Sequence, residues 1–203
     1  PAQDYYGAMC SAINYAFSNR QVHTHQVRES FSKVFDEAAG EAIDIVYDVA
    51  HNIAKREKHQ VEGETREVMV HRKGATRAFG PGSPDIPADY DQVGQPVIIP
   101  GDMGTCSWLL SGGPKAMTDS FGSTCHGAGR QMSRTQAKKT WKGEDLIREL
   151  RTRNIIVKAA SNRVAAEEAP GAYKDVSNVV DVCQGAGLSN KVAKLEPMGV
   201  IKG

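Results

Sequence analysis

The stretch GQPVIIPGDMGTCSWLLSGGPKAMTDSFGSTCHGAG, residues 94–129, carries the features that decide the fold. With the residues from Gly74 onward, it holds 11 of the 20 glycines and 6 of the 9 prolines in the chain. Glycine admits backbone conformations closed to other residues and proline stiffens turns. The composition therefore predicts loops punctuated by short strands, which suits either a rigid binding surface made from main chain or an ordinary β-rich meander.

Helices and short strands are predicted before this stretch. Apolar residues spaced three or four apart predict two amphipathic helices within residues 8–38. Alternation over residues 43–48 predicts a short strand that ends at the polar pair His51-Asn52. Residues 68–70 predict another strand, which runs into the polar cluster 71–74.

Helical character returns after residue 130. The pattern predicts an amphipathic helix over residues 144–153, a strand at 155–157, a helix over 176–186 and an extended segment from 194 to 203. No internal repeat is present, so residues 1–203 are interpreted as one α+β domain.

The composition is that of an ordinary globular protein. The chain is 40% hydrophobic and 24% charged, with a net charge of +1. No apolar run exceeds three residues, which excludes a transmembrane helix and a signal-peptide core from the sequence. Four widely spaced cysteines fit a reducing compartment, so we expect a cytoplasmic protein. The first residue is Pro1, which indicates a processed, cloned or partial chain.

The segment Thr124 to Arg130, TCHGAGR, is the most unusual in the chain. It sets His126 beside a Gly-x-Gly loop whose amides an anion can approach, with an arginine close by. That combination suits phosphate chemistry, although a single histidine is more often structural. A dyad of Cys125 with His126 is disfavoured, because neighbours in an extended segment point to opposite faces.

Basic residues dominate the sequence after His126. Between residues 126 and 163 there are ten lysines and arginines against three acidic residues. Such a segment is either a solvated surface or a footprint for a polyanion, where arginine grips phosphate oxygens. His51 follows the predicted strand and is a candidate ligand for Mn or Zn, but one ligand makes no site. The other four histidines, His23, His25, His59 and His71, are interpreted as surface or structural residues.

Five segments together resemble one family, the RtcB family of tRNA-splicing RNA ligases. They are HNIAK at 51–55, HRKGATRA at 71–78, GQPVIIPGDMGT at 94–105, CHGAGR at 125–130 and VIKG at 200–203. Their order and spacing are specific, and the similarity covers essentially the whole chain. The resemblance implies an RtcB-like α+β fold of mixed sheets with flanking helices.

The resemblance also implies an activity. It is a GTP- and Mn²⁺-dependent ligase that joins an RNA 3′-phosphate or 2′,3′-cyclic phosphate to a 5′-hydroxyl. His126 would be the catalytic nucleophile and would form a histidine-GMP phosphoramidate, while His51 would be a metal ligand. The residues that would bind the nucleotide are Asn52, Pro100, Gly101, Asp102, Met103, Ser107, His126, Gly127, Ala128, Gly129, Tyr173 and Lys202. Contacts to RNA are predicted for Arg72, Lys73, Arg130 and Arg134.

The sequence departs from the family pattern in two ways. Asp102 stands where the family often has serine, and either side chain accepts from a guanine N–H. The remaining metal ligands of the family lie in a half that precedes the point where this chain begins. We therefore expect a C-terminal half that alone is weakly active or inactive.

The expected partners follow from the same resemblance. They are RNA in the form of tRNA halves, the missing N-terminal half and the activator archease, with no DNA and no membrane. Two other function classes stay open. One is a non-catalytic module that binds RNA or nucleotide, and the other is a cysteine or metal hydrolase.

Overall fold

The computed structural model describes residues 1–202 and shows an α+β fold with four small sheets. The helices are α1 (Ala2–Val34), α2 (Glu37–Glu41), α3 (Ala116–Asp119), α4 (Arg134–Thr140), α5 (Gly143–Thr152), α6 (Asn162–Glu167) and α7 (Val176–Gly185), with 3₁₀ turns at Ala88–Tyr90 and Pro170–Ala172. The strands are β1 (Asn52–Val61), β2 (Glu64–Lys73), β3 (Ala75–Arg77), β4 (Pro96–Pro100), β5 (Ser107–Gly112), β6 (Ser123–Cys125), β7 (Ile156–Ala159), β8 (Ser189–Leu195) and β9 (Gly199–Lys202). The predicted fold class is confirmed.

The two helices predicted within residues 8–38 are one continuous helix, α1, of 33 residues. The two apolar stripes face different directions, but the polar residues between them are compatible with a helix and contain no proline. None of its residues is buried, and apolar side chains such as Tyr15 (77% exposed) and Val34 (74%) face outward. Helix α1 therefore carries apolar side chains that no other part of the described chain covers.

The strand predicted over residues 43–48 is absent, and residues 42–51 contain no strand. Side chains, rather than a neighbouring strand, bind some of the carbonyl groups of this segment. Arg28 Nε donates to the carbonyl of Ile43 at 2.8 Å, and Arg20 Nη1 donates to that of Val49 at 2.9 Å. His51 thus lies in a connector tied to α1, directly before β1.

Strands β1 and β2 form an antiparallel hairpin with Asn52 opposite Lys73. The turn residues Glu62 and Gly63 both have positive φ, which the tight turn between right-twisted strands requires. Residues 68–70 lie in β2 as predicted, whereas β1 was missed because its inward side chains include charged ones.

A buried ion pair fixes the hairpin to the rest of the chain. The Arg72 guanidinium donates to both carboxylate oxygens of Glu57, at 2.7 and 2.8 Å. It also donates to Ser123 Oγ at 2.9 Å and to the Phe121 carbonyl at 2.8 Å. His59 lies 2.9 Å from Glu57 and is buried, which confirms a structural role for it.

The glycine- and proline-rich segment forms loops and short strands, as predicted. Strands β4, β5 and β8 make one antiparallel sheet, and β3 pairs with β6. Helix α7 packs its buried Val176 and Val180 against Val97, Ile99 and Leu110 of the sheet. This cluster is the main core. Cys125, the last residue of β6, packs against it, and His126 follows directly.

The C-terminal third also matches its predicted elements. Helix α5, strand β7 and helix α7 match the predicted helix, strand and last helix to within one or two residues, whereas α4, α6 and β8 were not predicted. The extended end pairs β9 in parallel with β7, and Gly203 lies outside the described residues. All four cysteines are free thiols. No helix within residues 1–202 has both the length and the apolar character needed to cross a membrane.

Arg72→Ala is expected to lower the free energy of unfolding by about 3–5 kcal/mol, because it leaves the Glu57 carboxylate buried without its partner. Arg66→Ala is the matched control, since Arg66 lies on the same strand in an exposed pair with Glu64. The control should cost less than about 1 kcal/mol. Urea unfolding followed by circular dichroism measures both values, and equal losses would contradict a stabilising role for the buried pair.

Candidate active site

His126 opens a loop that two other segments clamp. It follows β6, in which Cys125 pairs with Ala75 of β3. The Ala128 amide donates to the Pro100 carbonyl at 3.1 Å, and the Lys174 amide donates to the Gly129 carbonyl at 3.0 Å. The glycine loop is therefore held at both ends by main-chain bonds, which leaves little freedom in the placement of His126.

The imidazole of His126 stacks on that of His51. The ring centroids are 3.7 Å apart and the planes differ by 4°. Burial, and then the charge of His51, lower the pKa of His126 below its usual value. At neutral pH its ring is therefore uncharged, with a nitrogen lone pair available for attack.

Cys125 is a poor nucleophile in this structure. Its contact with the Cys183 thiol, together with burial, raises the pKa of Cys125 well above the usual range. The thiolate is the reactive form, so this environment disfavours a Cys-His hydrolase.

A metal ion would need ligands beyond those described. Within residues 1–202 no group of three or more His, Cys, Asp or Glu side chains converges as a metal site. The imidazole of His51 suits Mn²⁺ or Zn²⁺ by donor type but supplies one ligand. The donor set of this chain therefore fits a partial metal site at most.

Several of the residues predicted to bind the nucleotide line one cavity of about 310 Å³. They are Pro100, Gly101, Asp102, Met103, Ser107 and Lys202. Pro100 and Ser107 face each other in the β4–β5 ladder, which brings the two ends of the loop between them together. Tyr173 lines a neighbouring cavity of about 680 Å³, which shares Asp102 with the first.

The loop between β4 and β5 is held by its own side chains. The Asp102 carboxylate accepts from the amides of Gly104 at 2.8 Å and Thr105 at 3.0 Å, and from the Thr105 hydroxyl at 2.8 Å. The Met103 side chain is buried against Leu150. Asp102 therefore shapes the loop, and any bond to a guanine N–H would be an additional one for its carboxylate.

The predicted site residues fall into two neighbouring groups. Asn52 lies beside His51 in a smaller cavity of about 150 Å³ against α1, apart from the cavities that Asp102 lines. His126 lines neither of those larger cavities. The segment 127–129, bonded to Pro100, connects the imidazole pair to the cavities.

Two of the predicted RNA contacts need revision. Arg72 is 2% exposed and fully bonded within the protein, so it does not fit a contact to RNA. Arg130 donates to the Tyr173 hydroxyl at 2.9 Å and to the Met132 carbonyl at 3.1 Å, so RNA would have to compete with these bonds. Lys73 is exposed and Arg134 is 66% exposed, which leaves both accessible.

Sequence reasoning missed Glu168. Its carboxylate accepts from the Tyr173 hydroxyl and lies 3.7 Å from the Lys202 ammonium. The available signal was the acidic pair Glu167-Glu168, which directly follows the basic segment 126–163.

Comparison with known proteins shows the family of the chain. The sequence profile of the family described as tRNA-splicing ligase RtcB matches residues 1–203. Curated relatives with that name are 56% identical over 202 residues in Methanococcus maripaludis, 57% over 202 in Thermococcus kodakarensis and 56% over 203 in Pyrococcus horikoshii. Each alignment covers 99% of this chain.

The chain belongs to the RtcB family of tRNA-splicing ligases. It spans 42% of the length of the relatives from M. maripaludis and T. kodakarensis, and 23% of that from P. horikoshii.

Gly101→Ala is expected to lower the free energy of unfolding by about 1–3 kcal/mol, because overpacking strains a close-packed site. A Cβ at Gly101 would overlap the Cys106 carbonyl oxygen and crowd Val176. Gly185→Ala is the control, since a Cβ there meets nothing within 4 Å, and it should change stability by less than about 1 kcal/mol. Chemical denaturation of the two variants tests this, and equal stabilities would show that the loop accommodates a side chain.

Proposed function

We propose that this chain carries the guanylylated site of a GTP-dependent RNA ligase. Such an enzyme joins RNA ends bearing a 3′-phosphate or 2′,3′-cyclic phosphate to ends bearing a 5′-hydroxyl, as in tRNA splicing and RNA repair. Membership of the RtcB family supports RNA ligation. The observation that carries the proposed chemistry is the imidazole of His126, stacked on His51 and held at the start of a clamped glycine loop.

In the proposed first step, a ring nitrogen of His126 attacks the α-phosphate of GTP. A P–N bond forms, the bond to the β-phosphate oxygen breaks, and pyrophosphate leaves. A neutral imidazole suits this step because it is nucleophilic and its phosphoramidate stays reactive. In the second step the guanylate passes to the RNA 3′-phosphate and frees His126. Attack by the 5′-hydroxyl then forms the phosphodiester and releases GMP.

The chain's own residues would hold the nucleotide around this chemistry. The residues Asn52, Pro100 to Met103, Ser107, Tyr173 and Lys202 are proposed to surround the guanosine, with Tyr173 and Lys202 closing over the base. Segment 127–129 would present backbone amides to the phosphates. Its bond to Pro100 supports this arrangement, because it ties the phosphate side of the site to the guanine side.

Mn²⁺ is the proposed metal, and when bound it would screen phosphate charge and polarise the phosphorus centre. His51 would be its ligand from this chain. The other ligands would come from the rest of the ligase, because this chain spans only 42% of the length of the relatives from M. maripaludis and T. kodakarensis. We also propose tRNA halves as substrates, archease as an activator and a cytoplasmic location.

Intact-mass spectrometry after incubation with GTP and Mn²⁺ tests the chemistry. The wild-type chain is mixed with the polypeptide that supplies the rest of the ligase. We expect the chain to gain the mass of one guanylate. His126→Ala should gain none, because the nucleophile is gone. His71→Ala is the matched control, since His71 is exposed on β2, and it should label like the wild type. Labelling of His126→Ala would refute the assigned nucleophile.

A non-catalytic module that binds RNA or nucleotide is the second candidate. The lack of a converging metal-ligand group within residues 1–202 favours it for the chain alone. Affinity for single-stranded RNA that falls steeply with salt, yet is indifferent to GTP and to His126→Ala, would support this function. Binding that strengthens when His126 is guanylylated would instead support the ligase.

A further inference from the structure

We propose that Glu168 is a positioning residue that holds Tyr173 and Lys202 in place, each beside one of the two neighbouring cavities that Asp102 lines. The inference rests on the proposed function, in which these two residues close over the guanine. The Glu168 carboxylate belongs neither to the glycine loop nor to the proposed metal site.

Glu168 joins three separate segments of the chain. It caps the C-terminal end of α6, and its side chain is 16% exposed. Oxygen Oε2 accepts from the Tyr173 hydroxyl and lies 3.7 Å from Lys202 Nζ at the end of β9. Oxygen Oε1 lies 3.4 Å from Arg130 Nη1, just beyond the glycine loop. One carboxylate thus fixes the relative positions of the loop, the aromatic ring and the terminal strand.

The charges around Glu168 keep it ionised. Burial alone would raise the pKa of Glu168, but the hydrogen bond from Tyr173 and the charges of Lys202 and Arg130 outweigh burial and lower the pKa. Burial and the nearby carboxylate raise the pKa of Tyr173 to about 12, so its phenol stays protonated and donates. Charge-assisted bonds of this kind are stronger than neutral ones.

Arg130 completes the fixation of the tyrosine ring. Its Nη1 donates to the Tyr173 hydroxyl at 2.9 Å, and its guanidinium lies over the ring at 4.7 Å from the centroid. The phenol oxygen is therefore bound from two sides and one ring face is covered. What remains of the ring borders the cavity of about 680 Å³, where a base has room to contact it.

Lys202 depends on Glu168 more strongly than the other cations do. Among the described residues, Glu168 is the carboxylate within ion-pair distance of its ammonium. Strand β9 pairs only with β7 within residues 1–202, so the main chain restrains the end of β9 from one side. Removing the charge at position 168 should therefore free the lysine.

Glu167 supplies a matched control. It is the preceding residue, its side chain is 22% exposed, and it pairs with Lys138 at 2.7 Å and Arg163 at 3.8 Å. Its carboxylate makes no hydrogen bond or ion pair with Tyr173 or Lys202 among the described contacts. Glu167→Gln removes one negative charge from the same helix end and leaves the contacts of Glu168 with Tyr173 and Lys202 in place.

The primary measurement is equilibrium binding of radiolabelled GTP. The protein is this chain mixed with the polypeptide that supplies the rest of the ligase. Glu168→Gln is expected to weaken GTP binding about tenfold, the effect of losing one charge-assisted contact. It should lower the guanylylation rate at saturating GTP by less than about threefold, because binding rather than the nucleophile is affected. Glu167→Gln should change either quantity less than about twofold, because its ion pairs with Lys138 and Arg163 do not involve Tyr173 or Lys202.

A double-mutant cycle separates positioning from general destabilisation. If Glu168 acts through the lysine, Glu168→Gln combined with Lys202→Gln should weaken GTP binding little more than Lys202→Gln alone. Additive losses would overturn the action of Glu168 through Lys202, and equal losses in Glu168→Gln and Glu167→Gln would overturn the proposal as a whole. Thermal unfolding of each variant identifies any loss that comes from stability.

The outcomes also separate this inference from the proposed function. Wild type that binds GTP without becoming labelled would refute the guanylylation step, while selective weakening in Glu168→Gln would still support positioning. Labelled protein with unchanged GTP affinity in Glu168→Gln would keep the ligase and overturn the role of Glu168. Wild type that binds no GTP would overturn both.

Discussion

The buried pair of Glu57 and Arg72 is the interaction on which the placement of the site depends. Burying two charges is costly unless their geometry is good and their remaining hydrogen-bonding groups are satisfied. Here the guanidinium is bidentate, and its other donors reach Ser123 and the Phe121 carbonyl. Those acceptors lie just before His126, whereas Glu57 lies six residues after His51. The pair therefore fixes the two segments whose imidazoles stack.

The sequence allowed the family, the fold class and most of the later elements to be predicted, because their signals are local. Helix α5 has a strong apolar stripe, and the turn residues of segment 74–129 set its loops. Strand β1 was missed because it buries Glu57 and His59, which period-two reasoning assigns to the solvent side. The strand predicted at 43–48 was wrong, and side chains bind carbonyls of this segment in place of a neighbouring strand: Arg28 of α1 donates to that of Ile43, and the Tyr90 hydroxyl to that of Val46. A local sequence pattern does not reveal that side chains from other parts of the chain will bind these carbonyl groups.

Charge counting along the sequence misjudged the basic surface for a related reason. Four of the ten basic residues between positions 126 and 163 lie within ion-pair distance of Glu167 or Glu168, which stand just outside that interval: Arg130, Arg134, Lys138 and Arg163. The acidic pair thus offsets positive charge close to the glycine loop. Besides Arg134, which stays 66% exposed, the cations accessible to a polyanion include the exposed Lys139 of α4 and Arg151 of α5. Spatial pairing, rather than composition, decides where RNA would meet the surface.

Helix α1 is joined to the following connector by polar contacts and not by a buried apolar face. At 33 residues it is about 50 Å long, yet it buries none of them. Helices in proteins owe most of their stability to packing, so α1 opens at a free energy set by local propensity. Its amide protons should therefore exchange far faster than those of α5, which buries Leu146 and Leu150. Because Arg20 and Arg28 tie α1 to the connector before β1, each opening also loosens the segment that carries His51.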